Sequence, residues 1–236
     1  MFKNYIYIMK ETFFQKSLNR IFQEIYSKNH KVDGKILEFG TNKRSTKKFT
    51  NHIKIKDGSE IFYADKIAVN DKEISDNKPD FFIENLEEKL SFKNKSFDNI
   101  IIFNVLEHVF EMNNAVSEIN RSLTTNGRII GSTPFLYRIH NAPGDFCRYS
   151  EQFIEKILLN NSFSNIEIHN YGFGPFTSSY AIIFDTTKKI PLLNNFILTL
   201  AIALDKILSL FVKSDLSKIY PITVCFTAIK IDNNLT

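Results

Sequence analysis

Four stretches of the sequence set polar side chains at the ends of short apolar runs, the place from which a ligand is read in an open α/β sheet. KILEF (35–39) runs into Gly40-Thr41-Asn42. A glycine after a strand lets backbone approach a ligand closely, and Glu38 beside it can accept from a ligand amine; a plain β-turn accounts for the glycine equally well. EIFYAD (60–65) ends in Asp65, whose two oxygens can accept both hydroxyls of a ribose, although a solvated surface aspartate reads the same way. DFFIE (80–84) leads into Asn85. Glu84 or Asn85 can take an amino group such as adenine's, and the same pair suits a helix N-cap. The fourth stretch, Asn104-Val105-Leu106-Glu107-His108-Val109, closes the apolar run FDNIIIFNV (97–105). Polar Asn, Glu and His at the end of a buried strand are poorly explained by packing, and a histidine there suits proton transfer as well as structure.

The elements that would position these residues alternate between short apolar runs and amphipathic stretches, which predicts βαβ units. Residues 4–29 read as helical, with Ile6, Phe13, Phe14, Leu18, Ile21, Phe22 and Ile25 apolar. After the strands at 35–39, 60–65, 80–84 and 97–105 come a helix at 112–123, the turn Thr125-Asn126-Gly127 and a strand at 128–133. A helix at 150–160, an alternating edge strand at 165–170 and a last strand at 221–230 follow. The fold expected is α/β, a doubly wound Rossmann-like, seven-stranded, mostly parallel sheet with an antiparallel last strand and helices on both faces. Residues 1–33 would form an N-terminal helical segment and 34–236 one domain, within which 190–215 is an apolar helical cover or contact segment. On a helix over 192–213, Asn195, Thr199, Lys206, Ser209 and Lys213 share a narrow stripe and nearly everything else is apolar. A packed helix covering the sheet is the favoured reading; a membrane-surface or dimer contact is the other.

Composition narrows the classes. The chain has 236 residues, 43% hydrophobic and 24% charged, which fits a globular domain and excludes a disordered or collagen-like chain. The net charge of +4 comes from 30 basic and 26 acidic residues, well interspersed, so no nucleic-acid partner is implied. Cys147 and Cys225 alone cannot make a zinc site, and no metal is expected. The N-terminal residues lack the apolar core and cleavage site of a signal peptide, and no apolar run reaches the roughly 18–20 residues of a membrane span, so a cytoplasmic protein is expected.

ILEFG, YAD, SFDNIIIFNVLEHV and RSLTTNGRIIGSTPF together resemble the seven-stranded class I S-adenosylmethionine-dependent methyltransferases, of the methyltransferase type 11-like kind. The segment from His140 to Ser150 resembles an H-x-x-P-x-D-[YF]-x-R-[YF]-[ST] element of a subgroup often met among bacterial surface-polysaccharide genes. The resemblance covers about 34–175. It implies S-adenosyl-L-methionine as cofactor. Glu38, Gly40, Thr41 and Asn42 would lie by its methionine part, Asp65 would take the ribose, Glu84 and Asn85 would lie by the adenine, and Asn104 would line the cleft. Asn42 and Arg44 stand where the family usually has glycine. Asn tolerates a left-handed backbone, while Arg44 would either pair with the donor carboxylate or obstruct it.

The activity implied is methyl transfer, with O-methylation of a saccharide or surface-glycan precursor as the leading acceptor chemistry. A hydroxyl acceptor gains from a general base. His140 and His108 are the candidates, with Asp145 orienting His140, and Arg148 and Tyr149 on the acceptor. A structural turn with a local Asp145–Arg148 ion pair is the competing reading of that loop. Two other functions stay open: a catalytically degenerate binding protein in a glycan-assembly complex, and a lipid or quinone methyltransferase on a membrane surface. Donor affinity discriminates the first, and liposome co-sedimentation through 192–213 the second.

Overall fold

The computed structural model describes residues 2–41, 45–66, 80–140 and 144–231. Two helices open the chain, α1 (Phe2–Phe13) and α2 (Leu18–Ser27), where the sequence reading expects one. The apolar period runs on across the gap, but Gln15 takes a left-handed φ of 64° and Ser17 then caps α2 by accepting from the Arg20 N–H. A small parallel pair, β1 (Lys31–Val32) with β3 (Lys54–Ile55), lies apart from the main sheet.

The main sheet has seven strands: β2 (Lys35–Phe39), β4 (Glu60–Asp65), β5 (Phe81–Ile83), β6 (Phe97–Phe103), β7 (Leu123–Pro134), β8 (Phe163–Tyr171) and β9 (Thr223–Lys230). Their spatial order is β5-β4-β2-β6-β7-β9-β8, with β9 alone antiparallel to its neighbours. The run at 97–103 is apolar without alternation because both its faces are buried. Ile100 and Ile102 pack with Leu37 and Ile129 on one side, and Ile101 and Phe103 pack with Ile36, Tyr26 and Phe49 on the other. Edge strand β8 does alternate, with Ile166 and Ile168 turned toward the core. Asn126 takes a left-handed φ of 61° inside a register shift of β7, so the expected turn is a bulge within a longer strand.

Helices α3 (Met112–Ser122) and α4 (Glu151–Asn160) cover one face, the latter capped by Ser150. Beyond β8 come α5 (Pro175–Thr187), α6 (Pro191–Ser209) and the short α7 (Leu216–Ile219). The favoured expectation for α6, a helix laid over the sheet, is corrected: it packs on α5 and α1. Its inward face carries Asn194 and Asp205 along with Leu198, Ala201 and Ile202. Asp205 caps α5, accepting from the Phe176 N–H at 3.0 Å, the Thr177 N–H at 2.9 Å and the Thr177 hydroxyl at 2.7 Å. The outward face is apolar, with Leu192 at 79% and Phe211, just beyond the helix, at 80% exposure. By length and hydropathy α6 is the one candidate membrane span among the described residues.

Candidate active site

A cleft enclosing about 640 Å³, open to solvent, lies across the carboxyl ends of β2, β4 and β6. Gly40, Asp65, Glu84, Asn85, Asn104 and His108 all line it, so the structure brings one residue from each of the four flagged stretches to one place. Parallel strands do this by geometry, since their carboxyl ends share an edge. Gly40 has φ +78°, and a Cβ there would lie 2.4 Å from Val105 Cγ2. Both facts require glycine. Asp65 ends β4 and lines the cleft, as does Asn104.

Several expected contacts are corrected by where the side chains go. Glu38 is buried, and its oxygens accept from the backbone N–H groups of Phe49 at 2.6 Å and Thr50 at 3.1 Å. Burial pushes its carboxyl up while these bonds oppose the shift. Glu38 therefore holds the 49–50 segment against β2. Glu84 lines the cleft but is bonded to the Ser91 N–H, at 3.1 Å, and to the Ser91 hydroxyl. Asn85 accepts from the Glu87 N–H at 3.2 Å and donates to Glu88 at 2.7 Å, the local cap that competes with a ligand role. Asn104, at a left-handed φ of 55°, exchanges hydrogen bonds with Gln23 and accepts from Asn19, both on α2. Thr41 is buried. Asn42 and Arg44 lie outside the described residues.

Beyond β6 the chain makes a 3-10 turn, Leu106–His108, and a strap of residues 144–149 is tied over it. The Phe146 N–H donates to the Glu107 carbonyl at 2.9 Å, and the buried Tyr149 hydroxyl donates to the Val109 carbonyl at 3.3 Å. Tyr149 thereby fastens the strap. The strap sets His140 against His108, with ring centroids 4.9 Å apart. Asp145 stands behind His140, with Oδ2 3.3 Å from Nδ1 and accepting from the His140 N–H at 2.8 Å. Arg148 forks onto the same carboxylate through both Nη groups and also donates to the Arg138 carbonyl at 3.1 Å. Its hydrogen bonds hold Asp145 well below the usual carboxylate range, so Asp145 is an anion throughout. These bonds also correct the expectation that Arg148 is free to hold an acceptor. Burial pulls the His140 imidazole below its usual range against the opposing charge of Asp145.

The sequence reading named Glu107 only in passing. It is 0% exposed, and neither carboxylate oxygen has a hydrogen-bond partner among the described residues. Burial pushes it up to about 8. Its position beside His108, at the end of an apolar strand, was the available signal. Lys66 and Glu87, paired at 2.9 Å across the cleft rim, had none.

Residues 46–131 match the methyltransferase domain family. The chain's fold is similar to that of solved S-adenosylmethionine-dependent methyltransferases. One similar structure is phosphoethanolamine N-methyltransferase 2 from Haemonchus contortus, solved with phosphomonomethylethanolamine and S-adenosylhomocysteine, at 14% identity and a TM-score of 0.55. The match covers 89% of this chain and 52% of that one, so the chain spans about half its length. A SAM-dependent methyltransferase from Archaeoglobus fulgidus matches over 89% of this chain and 92% of its own, at 13% identity and a TM-score of 0.55. The Burkholderia thailandensis 1,6-didemethyltoxoflavin-N1-methyltransferase, solved with 1,6-didemethyltoxoflavin and S-adenosylhomocysteine, matches over 96% and 84% at 12% identity and a TM-score of 0.52. No curated protein sequence matches. The matched region, 46–131, contains Asp65, Asn104, Glu107 and His108, while Gly40 and His140 flank it.

Proposed function

We propose that the protein is an S-adenosylmethionine-dependent methyltransferase whose acceptor is a hydroxyl of a saccharide or surface-glycan precursor. The observation that carries this is the abutment of two features: a ligand cleft at the strand ends, and a histidine pair at its wall. His108 belongs to both. The donor would lie from Gly40 toward Asp65, as the structures with bound S-adenosylhomocysteine support by their common fold. When bound, the donor would supply the methyl group for in-line transfer to the acceptor oxygen, and His140 Nε2 would take the acceptor proton. The Arg138 carbonyl, 3.4 Å from Nδ1, accepts the Nδ1–H and so fixes the His140 tautomer, with the Asp145 carboxylate 3.3 Å away stabilising the imidazolium. Alignment is worth about 7–11 kcal/mol of such a barrier, and a placed base about 10²–10⁴-fold in rate. The saccharide assignment rests on the sequence element from His140 to Ser150.

Asp65→Ala tests the donor's path. Calorimetry with S-adenosylhomocysteine should show affinity lower by about 1.5–3 kcal/mol, the scale of charge-assisted hydrogen bonds, with the melting temperature unchanged. Unaltered affinity would remove Asp65 from the site.

A second reading, a methyltransferase working at a cytoplasmic membrane surface on a lipid-borne acceptor, is favoured by α6. Leu192, Leu193, Phe196, Leu200 and Ile207 are exposed along its outer face, and Lys189, Lys206, Lys213 and Lys218 stand exposed around it. Apolar residues rimmed by lysine suit an anionic bilayer. Vesicles with anionic lipid should co-sediment the protein, and Leu192→Ser with Phe196→Ser should release it. Pelleting unaffected by the double substitution would exclude α6 as the contact.

A further inference from the structure

We infer that Glu107, His108 and His140 form a binding site for one divalent transition-metal ion. His108 Nε2 lies 3.7 Å and His140 Nε2 4.0 Å from Glu107 Oε1. One ligand atom from each of the three falls within 4.8 Å of the others. A tetrahedral ion with bonds of ~2.0–2.1 Å sets its ligands about 3.3 Å apart, so the two carboxylate–imidazole pairs need to close by about 0.4–0.7 Å and the two imidazole nitrogens by at most about 1.5 Å.

The remaining nitrogens are arranged as metal-bound imidazoles require. His108 Nδ1 is hydrogen-bonded to the Gly144 carbonyl, which accepts only from N–H, so its Nε2 carries the lone pair. His140 Nδ1 faces the Asp145 carboxylate, and its Nε2 is likewise the free lone pair. Both lone pairs converge on a buried carboxylate without a hydrogen-bond partner among the described residues. Arg148 does not supply the missing charge, because it is spent on Asp145. Two imidazoles and one carboxylate favour zinc, cobalt or ferrous ions over magnesium or calcium. Three protein ligands leave a coordination position for an exogenous oxygen. The sequence reading expects no metal because it weighs only the cysteines; the site exists because β6 and β7 are parallel neighbours, which brings residue 140 beside 107–108.

With the ion bound, His140 Nε2 is a ligand and not the base: the ion would hold the acceptor oxygen and lower its pKa, the proton leaving to solvent; that role rests on the methyl-transfer reading of the cleft, and binding of the ion does not. The test uses chelator-stripped protein titrated calorimetrically with Co²⁺ and then Zn²⁺, with the visible absorption of bound cobalt as a second readout. One equivalent should bind, with the spectrum of a low-coordinate cobalt site. Glu107→Gln, which keeps shape, and His140→Ala should each weaken binding by more than the ~10–100-fold that an outer-shell partner is worth. Their circular dichroism and melting would confirm the fold. Absence of binding at millimolar metal, or the same affinity in both variants, would overturn the assignment. S-adenosylhomocysteine titrated into the stripped protein separates the two ideas: donor binding without metal binding refutes the ion alone, and metal binding without donor binding refutes the donor reading alone.

Discussion

Gly40→Val should abolish binding of S-adenosylmethionine and S-adenosylhomocysteine. The backbone there has φ +78°, a conformation that a β-branched residue adopts only under strain. The first added carbon would meet Val105 Cγ2 at 2.4 Å, and Val105 itself lines the cleft. Either the valine fills the space the donor needs or Val105 is driven into it. An affinity loss beyond about 100-fold is expected, with Gly40→Ala intermediate because it adds the clash without the branching. Equilibrium titration of variants with native circular dichroism checks this. A folded valine variant that binds normally would show that the donor does not pass β2.

His140→Ala should lower single-turnover methyl transfer by about 10²-fold or more while donor affinity stays within twofold. The separation is expected because His140 touches His108 but is not among the residues that line the cleft. Asp145→Asn should cost less at the same step. It preserves the hydrogen bond to the His140 backbone but removes the charge that Arg148 and the imidazole share. Glycan or nucleotide-sugar extract with labelled donor is the assay. Full turnover in His140→Ala alongside loss in His108→Ala would transfer the role to His108.

The strands that build the cleft were legible because their residues carry unambiguous patterns. KILEF and EIFYAD are strands over the expected residues, and the apolar run at 97–103 is central and buried on both faces. The polar ends of parallel strands then locate the cleft without further information. What was not legible is where each polar side chain goes. Glu38 sits in the expected place, yet its oxygens bind amides eleven and twelve residues later, a tertiary choice with no local signature. Asn104 is likewise engaged by Gln23, on a helix far away in sequence. The break at Gln15 escaped because Phe13, Phe14 and Leu18 continue a helical period that the cap at Ser17 interrupts. In α6, Asn194 and Asp205 look like solvent positions by type, but they face inward as caps and hydrogen-bond partners, which leaves the leucines outside. Glu107 was visible as a residue and invisible as a problem: only the packed strap shows that its carboxylate is buried and without a hydrogen-bond partner among the described residues.

The central claim is that the cleft between Gly40, Asp65 and Asn104 holds an adenosyl donor. Calorimetric titration of S-adenosylhomocysteine into the wild-type protein, with Asp65→Ala in parallel, tests it most directly. The account predicts one site of micromolar affinity, weakened roughly ten- to a hundredfold by the substitution. No heat at millimolar ligand, or binding that Asp65→Ala leaves unchanged, would contradict it.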